Sequence, residues 1–183
     1  DGLPVDLTYG DIAQNNPLDE AVHGVEGIFH LAGLIRAVRP GDYASVNASG
    51  TQRLLDACLR TNPKVGRFVL VSSLAAAGPS PNGRPRTESD PEQPVSDYGR
   101  SKRDGELAAL AYADRIPVTI VRPPVVYGPG DRLTLPIFRV ANLGLCPTLG
   151  ADARLSLVHP TDLGRGLIAA AEHPAAFDRY PVC

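Results

Sequence analysis

The chain has 183 residues, 43% of them apolar and 21% charged, with a formal net charge of −2, which is the composition of one globular domain with enough chain to bury a core. Its sixteen Arg and two Lys are scattered, not gathered into the basic stripe that tracks a phosphate backbone, so nucleic acid is not expected as a partner. No apolar run is long enough to span a bilayer and the N-terminus lacks a signal-peptide pattern, so the expected location is cytoplasmic, with no membrane partner.

In chain order, Pro4 to Tyr9 alternates and ends at Gly10-Asp11, a strand pattern. Val25 to Leu31, Arg67 to Val71 and Pro117 to Val121 are short apolar runs with β-branched and aromatic residues, which predict three more strands. Helical patterns lie between them: a short one over Pro17 to His23, a second over Tyr43 to Thr61 with Val46, Leu54, Leu55, Cys58 and Leu59, and a third over Ser96 to Arg115 with Leu107, Leu110 and Ala111. Strand and helix in alternation predict a parallel sheet covered by helices, with right-handed crossovers. Beyond Arg122 the chain is punctuated by Pro and Gly, with a helix expected over Leu135 to Leu143, a strand over Arg154 to Val158 and a helix over Thr161 to Glu172. Gly78 to Pro94, rich in Pro, Ser, Asn and Gly, is a long loop expected to form a substrate-side lid.

Cys58, Cys146 and Cys183 are odd in number, widely spaced and without CxxC or a neighbouring His, which argues for reduced thiols. The spacing of Asp11, His23 and His30 matches no metal-ligand pattern, so no metal is expected. A chain that begins at Asp1 and contains no Met is expected to be a fragment.

Ligands of open α/β sheets bind beyond the carboxyl ends of the strands. Here those ends carry Gly10-Asp11-Ile12, His30-Leu31-Ala32-Gly33, Ser72-Ser73 and Arg122-Pro123-Pro124. Tyr98 and Lys102 stand four residues apart in a chain with only two Lys and six Tyr, and one helical face brings such a pair together. An ammonium beside a phenol favours tyrosinate and is expected to lower its pKa from about 10 by roughly one to three units. With Ser73 holding a substrate oxygen, Tyr98 giving or taking its proton and Lys102 steadying the phenolate, the set suits a carbonyl or alcohol, with hydride from a nicotinamide. The same serines could simply end a strand, and Asn47 could be bonded to backbone. His30 reads as a satisfied strand-end histidine, not a catalyst.

The succession Gly10-Asp11-Ile12, His30-Leu31-Ala32-Gly33, Asn47-Ala48-Ser49-Gly50-Thr51, Phe68-Val69-Leu70-Val71-Ser72-Ser73, Tyr98-Gly99-Arg100-Ser101-Lys102, Arg122-Pro123-Pro124-Val125-Val126-Tyr127-Gly128 and His159-Pro160-Thr161-Asp162 resembles the extended short-chain dehydrogenase/reductases of the NAD-dependent epimerase/dehydratase group. The resemblance covers nearly the whole chain, with Ser73 lying 25 residues before Tyr98. It implies an α/β fold, a Rossmann-type doubly wound parallel sheet truncated at the N-terminus, with residues 1–130 as a partial dinucleotide-binding domain and 131–183 as a partial substrate-binding region with the last Rossmann elements. It implies Ser73, Tyr98 and Lys102 as catalytic residues and Asn47 as their support. For NAD or NADP it implies Asp11 and Ile12 at the adenine, Leu31, Ala32 and Gly33 along the phosphate and ribose path, Pro123, Val125 and Val126 at the nicotinamide, and Ser72, Tyr98 and Lys102 nearby. It also implies a small-molecule substrate and a homodimer through the helices of Tyr43 to Thr61 and Ser96 to Arg115.

Two departures matter. No G-x-G-x-x-G turn is present to seat a pyrophosphate at a helix N-terminus. The chain is therefore expected to start at the family's third strand, to leave Pro4 to Tyr9 without its neighbour, and to bind dinucleotide poorly alone. Ala75-Ala76-Ala77-Gly78 stands where sugar-nucleotide epimerases commonly carry Tyr before the glycine, and the acidic pair of the sugar dehydratases is absent. Epimerase and simple alcohol/ketone oxidoreductase both stay open, with a slight lean to the second. The competing expectation is a non-catalytic dinucleotide-sensing or partner-binding domain.

Overall fold

The computed structural model describes residues 4–14, 18–80, 83–145 and 155–173. Its centre is a three-stranded parallel sheet in the order β1 (Gly27–His30), β2 (Arg67–Val71), β3 (Val118–Val121), with Phe68 opposite Ile28 on one side and Val118 on the other. β3, Val-Thr-Ile-Val, is buried at every position, as a strand covered on both faces must be. A second, two-stranded parallel ladder pairs β4 (Val125–Val126) with β5 (Leu157–Val158).

Helices cover both faces of the main sheet. On one face α3 (Ser49–Thr61) and α5 (Asp97–Leu110) pack Leu54, Leu55, Cys58 and Ala109 against Phe68, Leu70, Val118 and Ile120. On the other, α7 (Pro160–Glu172) sets Leu167 against Val69 and Val121, with Leu163 and Ala170 beside them. Phe68 and Ile116 are fully buried, each contributing about 1.5–3 kcal/mol of apolar transfer. Shorter helices complete the chain: α1 (Asp19–Val22), α2 (Pro40–Tyr43), α4 (Leu74–Ala77) and α6 (Leu135–Asn142). This is the doubly wound α/β arrangement expected of the alternating pattern.

α5 begins where Ser96 Oγ accepts the Gly99 amide at 3.0 Å. α7 begins with Pro160 behind His159, whose Nδ1 accepts the Thr161 amide at 3.3 Å. Two glycines let α5 approach its neighbours: a Cβ on Gly99 would lie 2.3 Å from the Ala75 carbonyl oxygen, and one on Gly105 would lie 2.4 Å from that of Asn47.

The structure departs from the sequence expectations in three places. Residues 4–10 form no strand, and Val5, Leu7 and Tyr9 are exposed; a strand needs a ladder partner, and the described sheet ends at β1. The helix expected over Tyr43 to Thr61 is a composite, α2 running through a π-helical turn (Ala44–Ala48) into α3. The Arg154 to Val158 strand is confined to Leu157–Val158, Arg154 lying outside the described residues, and its partner β4 was not anticipated. Within the 78–94 loop, Arg84 pairs with Asp90 at 2.5 Å and Arg86 donates to the Gly78 and Pro91 carbonyls at 3.2 and 3.0 Å. Cys58 is buried, which pushes its thiol up to about 11; Cys146 and Cys183 lie outside the described residues.

Candidate active site

The carboxyl ends of β1, β2 and β3 meet the first turns of α4 and α5 at one rim. Ser73 follows β2 in extended backbone and caps α4, its Oγ accepting the Ala75 amide at 3.1 Å. Tyr98 sits in the first turn of α5, its ring 6.2 Å from that of Tyr43. Ser73 and Tyr98 border two clefts at once. The outer one, of about 510 Å³, is walled by Ile35, Leu74, Val125, Leu133 and Leu155. The inner one, of about 190 Å³, reaches Gly33, Val71, Lys102, Pro123, Val126 and Leu163. The three residues expected to act together thus border one cavity.

Lys102 is 9% exposed, and its Nζ donates to the Val71 carbonyl at 2.7 Å. Burial pushes its pKa down to about 8, partly opposed by the Glu106 carboxylate one turn on. Burial raises the Tyr98 phenol above its ordinary value, with the Ser73 hydroxyl partly offsetting it. The expectation that Lys102 lowers the phenol pKa is therefore corrected: the ammonium is turned onto the end of β2, and desolvation governs the tyrosine.

Asn47 is held by the π-helical turn. Its Oδ1 accepts the Leu34 amide at 2.8 Å, and its Nδ2 donates to the Leu34 carbonyl at 3.0 Å and to Ser101 Oγ at 2.9 Å. It thereby fixes the loop after β1 against the helix that carries Tyr98 and Lys102, and such π turns recur at functional sites. His30 Nε2 lies 3.0 Å from Thr51 Oγ1, buried and away from the cleft lining.

The other expected residues divide. Leu31, Gly33, Ser72, Pro123 and Val126 line the inner cleft, while Ala32 is exposed and lines neither cleft. Val125 borders the outer cleft, not the inner one with Val126, because successive strand residues point to opposite faces. The Ser72 hydroxyl is committed to Glu106. The Asp11 carboxylate accepts the Ala13 amide and Gln14 Nε2, each at 2.8 Å. Ile12 packs over Gly50, where a Cβ would come within 3.0 Å of its Cδ1.

Sequence reasoning missed Glu106 and the outer-cleft residues Ile35, Arg36, Leu133, Leu155 and Ser156. Glu106 is 2% exposed and takes Arg122 through Nε at 2.9 Å and Nη2 at 2.5 Å, while Nη2 also reaches Glu92 at 2.6 Å. Burial disfavours the Arg122 charge, but the two carboxylates more than restore it and raise its pKa. The same spacing that flagged Tyr98 and Lys102 links Lys102 to Glu106. Chain-distant loops build the outer wall, and no local pattern announces them.

The inner cleft suits the nicotinamide riboside end of a dinucleotide. A Cβ on Gly33 would sit 3.0 Å from Asn47 Oδ1 and 3.5 Å from Lys102 Nζ, so the bare glycine keeps the passage open. Val71, Pro123, Val126 and Leu163 offer an apolar wall to a flat ring, and the Lys102 ammonium offers donors to ribose hydroxyls.

Among known proteins, the chain is 36% identical over 173 residues to a ceramide reductase of Caulobacter vibrioides, covering 94% of this chain and 49% of that protein. It is 32% identical over 140 residues to a UDP-glucose 4-epimerase of Vibrio cholerae, covering 73% of this chain and 42% of that one. In structure it superposes on the UDP-glucuronic acid 4-epimerase of Bacillus cereus in complex with NAD with a TM-score of 0.77 and 26% identity, over 92% of this chain and 56% of that one. The chain spans about half the length of the curated relatives it matches. With residues 2–183 matching its family pattern, the chain belongs to the NAD dependent epimerase/dehydratase family.

Proposed function

We propose that the protein carrying this chain transfers a hydride between a nicotinamide dinucleotide and an alcohol, ketone or nucleotide-sugar substrate, as an oxidoreductase or epimerase. The observation that carries this reading is the shared cavity of Ser73, Tyr98 and Lys102. Ser73 Oγ hydrogen-bonds the substrate oxygen at the boundary of the two clefts. Tyr98 donates a proton to the oxygen as negative charge develops there, and takes one from the hydroxyl in the reverse direction. Lys102, with its amine held at the end of β2, donates toward the cofactor ribose. Asn47 keeps the loop of Leu34 and the helix of Tyr98 in register. The bound nicotinamide supplies or accepts the hydride, which no side chain can carry. Asp11 and Ile12 take the adenine side, and residues from 131 onward, through Leu133, Leu155 and Ser156, take the substrate side. The NAD in the Bacillus epimerase structure supports NAD as the dinucleotide. The relatives named a reductase and an epimerase support the two reaction classes equally.

The test is Tyr98→Phe in the longer protein that contains this chain. Turnover should fall by about 10²–10⁴-fold, with dinucleotide binding, followed by nicotinamide fluorescence, unchanged. Undiminished turnover would remove Tyr98 from the chemistry and with it this reading.

A further inference from the structure

The walls of the outer cleft carry information about the atoms on either side of the reacting carbon. Beyond Ser73 and Tyr98, which meet the reacting oxygen, the only polar side chains bordering it among the described residues are Arg36 and Ser156. The rest of the surface comes from Ile35, Leu74, Ala75, Val125, Leu133, Leu155 and the prolines after β3. A hexose seated against Tyr98 would turn several hydroxyls toward these hydrocarbon walls with only Arg36 and Ser156, among the described residues, to pair them, and unpaired buried hydroxyls cost affinity. The adjoining hollow beside Leu74 and Ser156 does hold Arg84 and Arg86, but Asp90 neutralises the first at 2.5 Å and the Gly78 and Pro91 carbonyls take the second. Past Leu133 in the chain, α6 exposes Leu135, Ile137 and Phe138.

We infer that the substrate is an aliphatic ketone, or the matching secondary alcohol, whose reacting carbon is flanked by hydrocarbon rather than by a nucleotide-linked sugar ring. This rests on the function proposed above and specifies its substrate class. In the reductive direction the carbonyl carbon receives the hydride, its oxygen receives the Tyr98 proton, and the reduced nicotinamide dinucleotide is oxidised in the same step. The product is the secondary alcohol.

The experiment uses the longer protein that contains this chain, with NADH and NADPH, and a series of straight-chain 2-alkanones of increasing length beside UDP-glucose and UDP-galactose. kcat/KM should rise about fourfold per added methylene until the cleft is filled, and Leu133→Asp should flatten that rise. The two UDP-sugars should be poor substrates. Efficient turnover of a UDP-sugar with a flat alkanone series would overturn the hydrocarbon assignment and leave the hydride-transfer reading intact. No turnover of either class, in protein shown to bind the dinucleotide, would overturn both.

Discussion

His30 ends β1 with its Nε2 3.0 Å from Thr51 Oγ1 and its ring 5.8 Å from that of Phe68. Burial, and secondarily the Lys102 charge, push its pKa from 6.5 down to about 4. Above pH 6.5 neither folded nor unfolded chain holds the extra proton at this site. Between 6.5 and 4 the unfolded chain binds a proton that the folded chain refuses, so stability falls as pH falls, by on the order of 3 kcal/mol over the full window. His30→Gln should therefore remove about one proton from the pH dependence of the urea-unfolding free energy across that window. An unaltered slope would mean that the native imidazole is free to ionise. The sequence already marked this residue as a satisfied strand-end histidine, and it showed Tyr98 and Lys102 through their spacing. It did not show that burial outweighs charge at the phenol, because that burial is set by residues distant in the chain, such as Tyr43. Nor did it show that Ser72 would be spent on Glu106, since that bond joins residues 34 positions apart.

α5 is the element on which most of the site depends, since it carries Tyr98, Ser101, Lys102 and Glu106 and touches α4, the π-helical turn and the sheet. Its position is set by absence of side chain at Gly105, where the Asn47 carbonyl occupies the place of a Cβ. Gly105→Ala should push the π-helical turn away and lower unfolding free energy by about 1–3 kcal/mol. Gly164, inside α7, has nothing within 4 Å of a built Cβ. Gly164→Ala should instead stabilise by up to about 1 kcal/mol through helix propensity. Equal shifts of the same sign in urea denaturation would show that backbone propensity, not the close approach, governs Gly105. Helix existence was legible from apolar spacing; the Ser96 cap lies where its helix was expected to begin, and the His159 cap lies two residues before the expected start at Thr161. The π-helical turn was not legible, because Asp42 to Ser49 contains neither Gly nor Pro; it forms where Asn47 bonds both the loop after β1 and Ser101.

At the scale of the molecule, the alternation of strands and helices was sufficient to read a parallel sheet with helices on both faces, and Ser73, Tyr98 and Lys102 come together at the rim of strand ends where the sequence put them. What alternation does not give is the neighbour of an edge. Pro4 to Tyr9 has the pattern of a strand and forms none, while β1 offers its outer edge unpaired among the described residues, with Phe29 44% exposed beside it. An apolar, unblocked edge strand is a template for another chain. The 183-residue chain prepared alone should therefore self-associate with rising concentration, and Phe29→Lys should shift that association to higher concentration by placing a charge on the edge. Static light scattering of the two proteins across a dilution series reads the difference. Association unchanged by the lysine would move the contact away from β1, to the outward face of α5 where Leu107 and Leu110 stand exposed one turn apart, and Leu107→Lys would then be the variant that dissociates it.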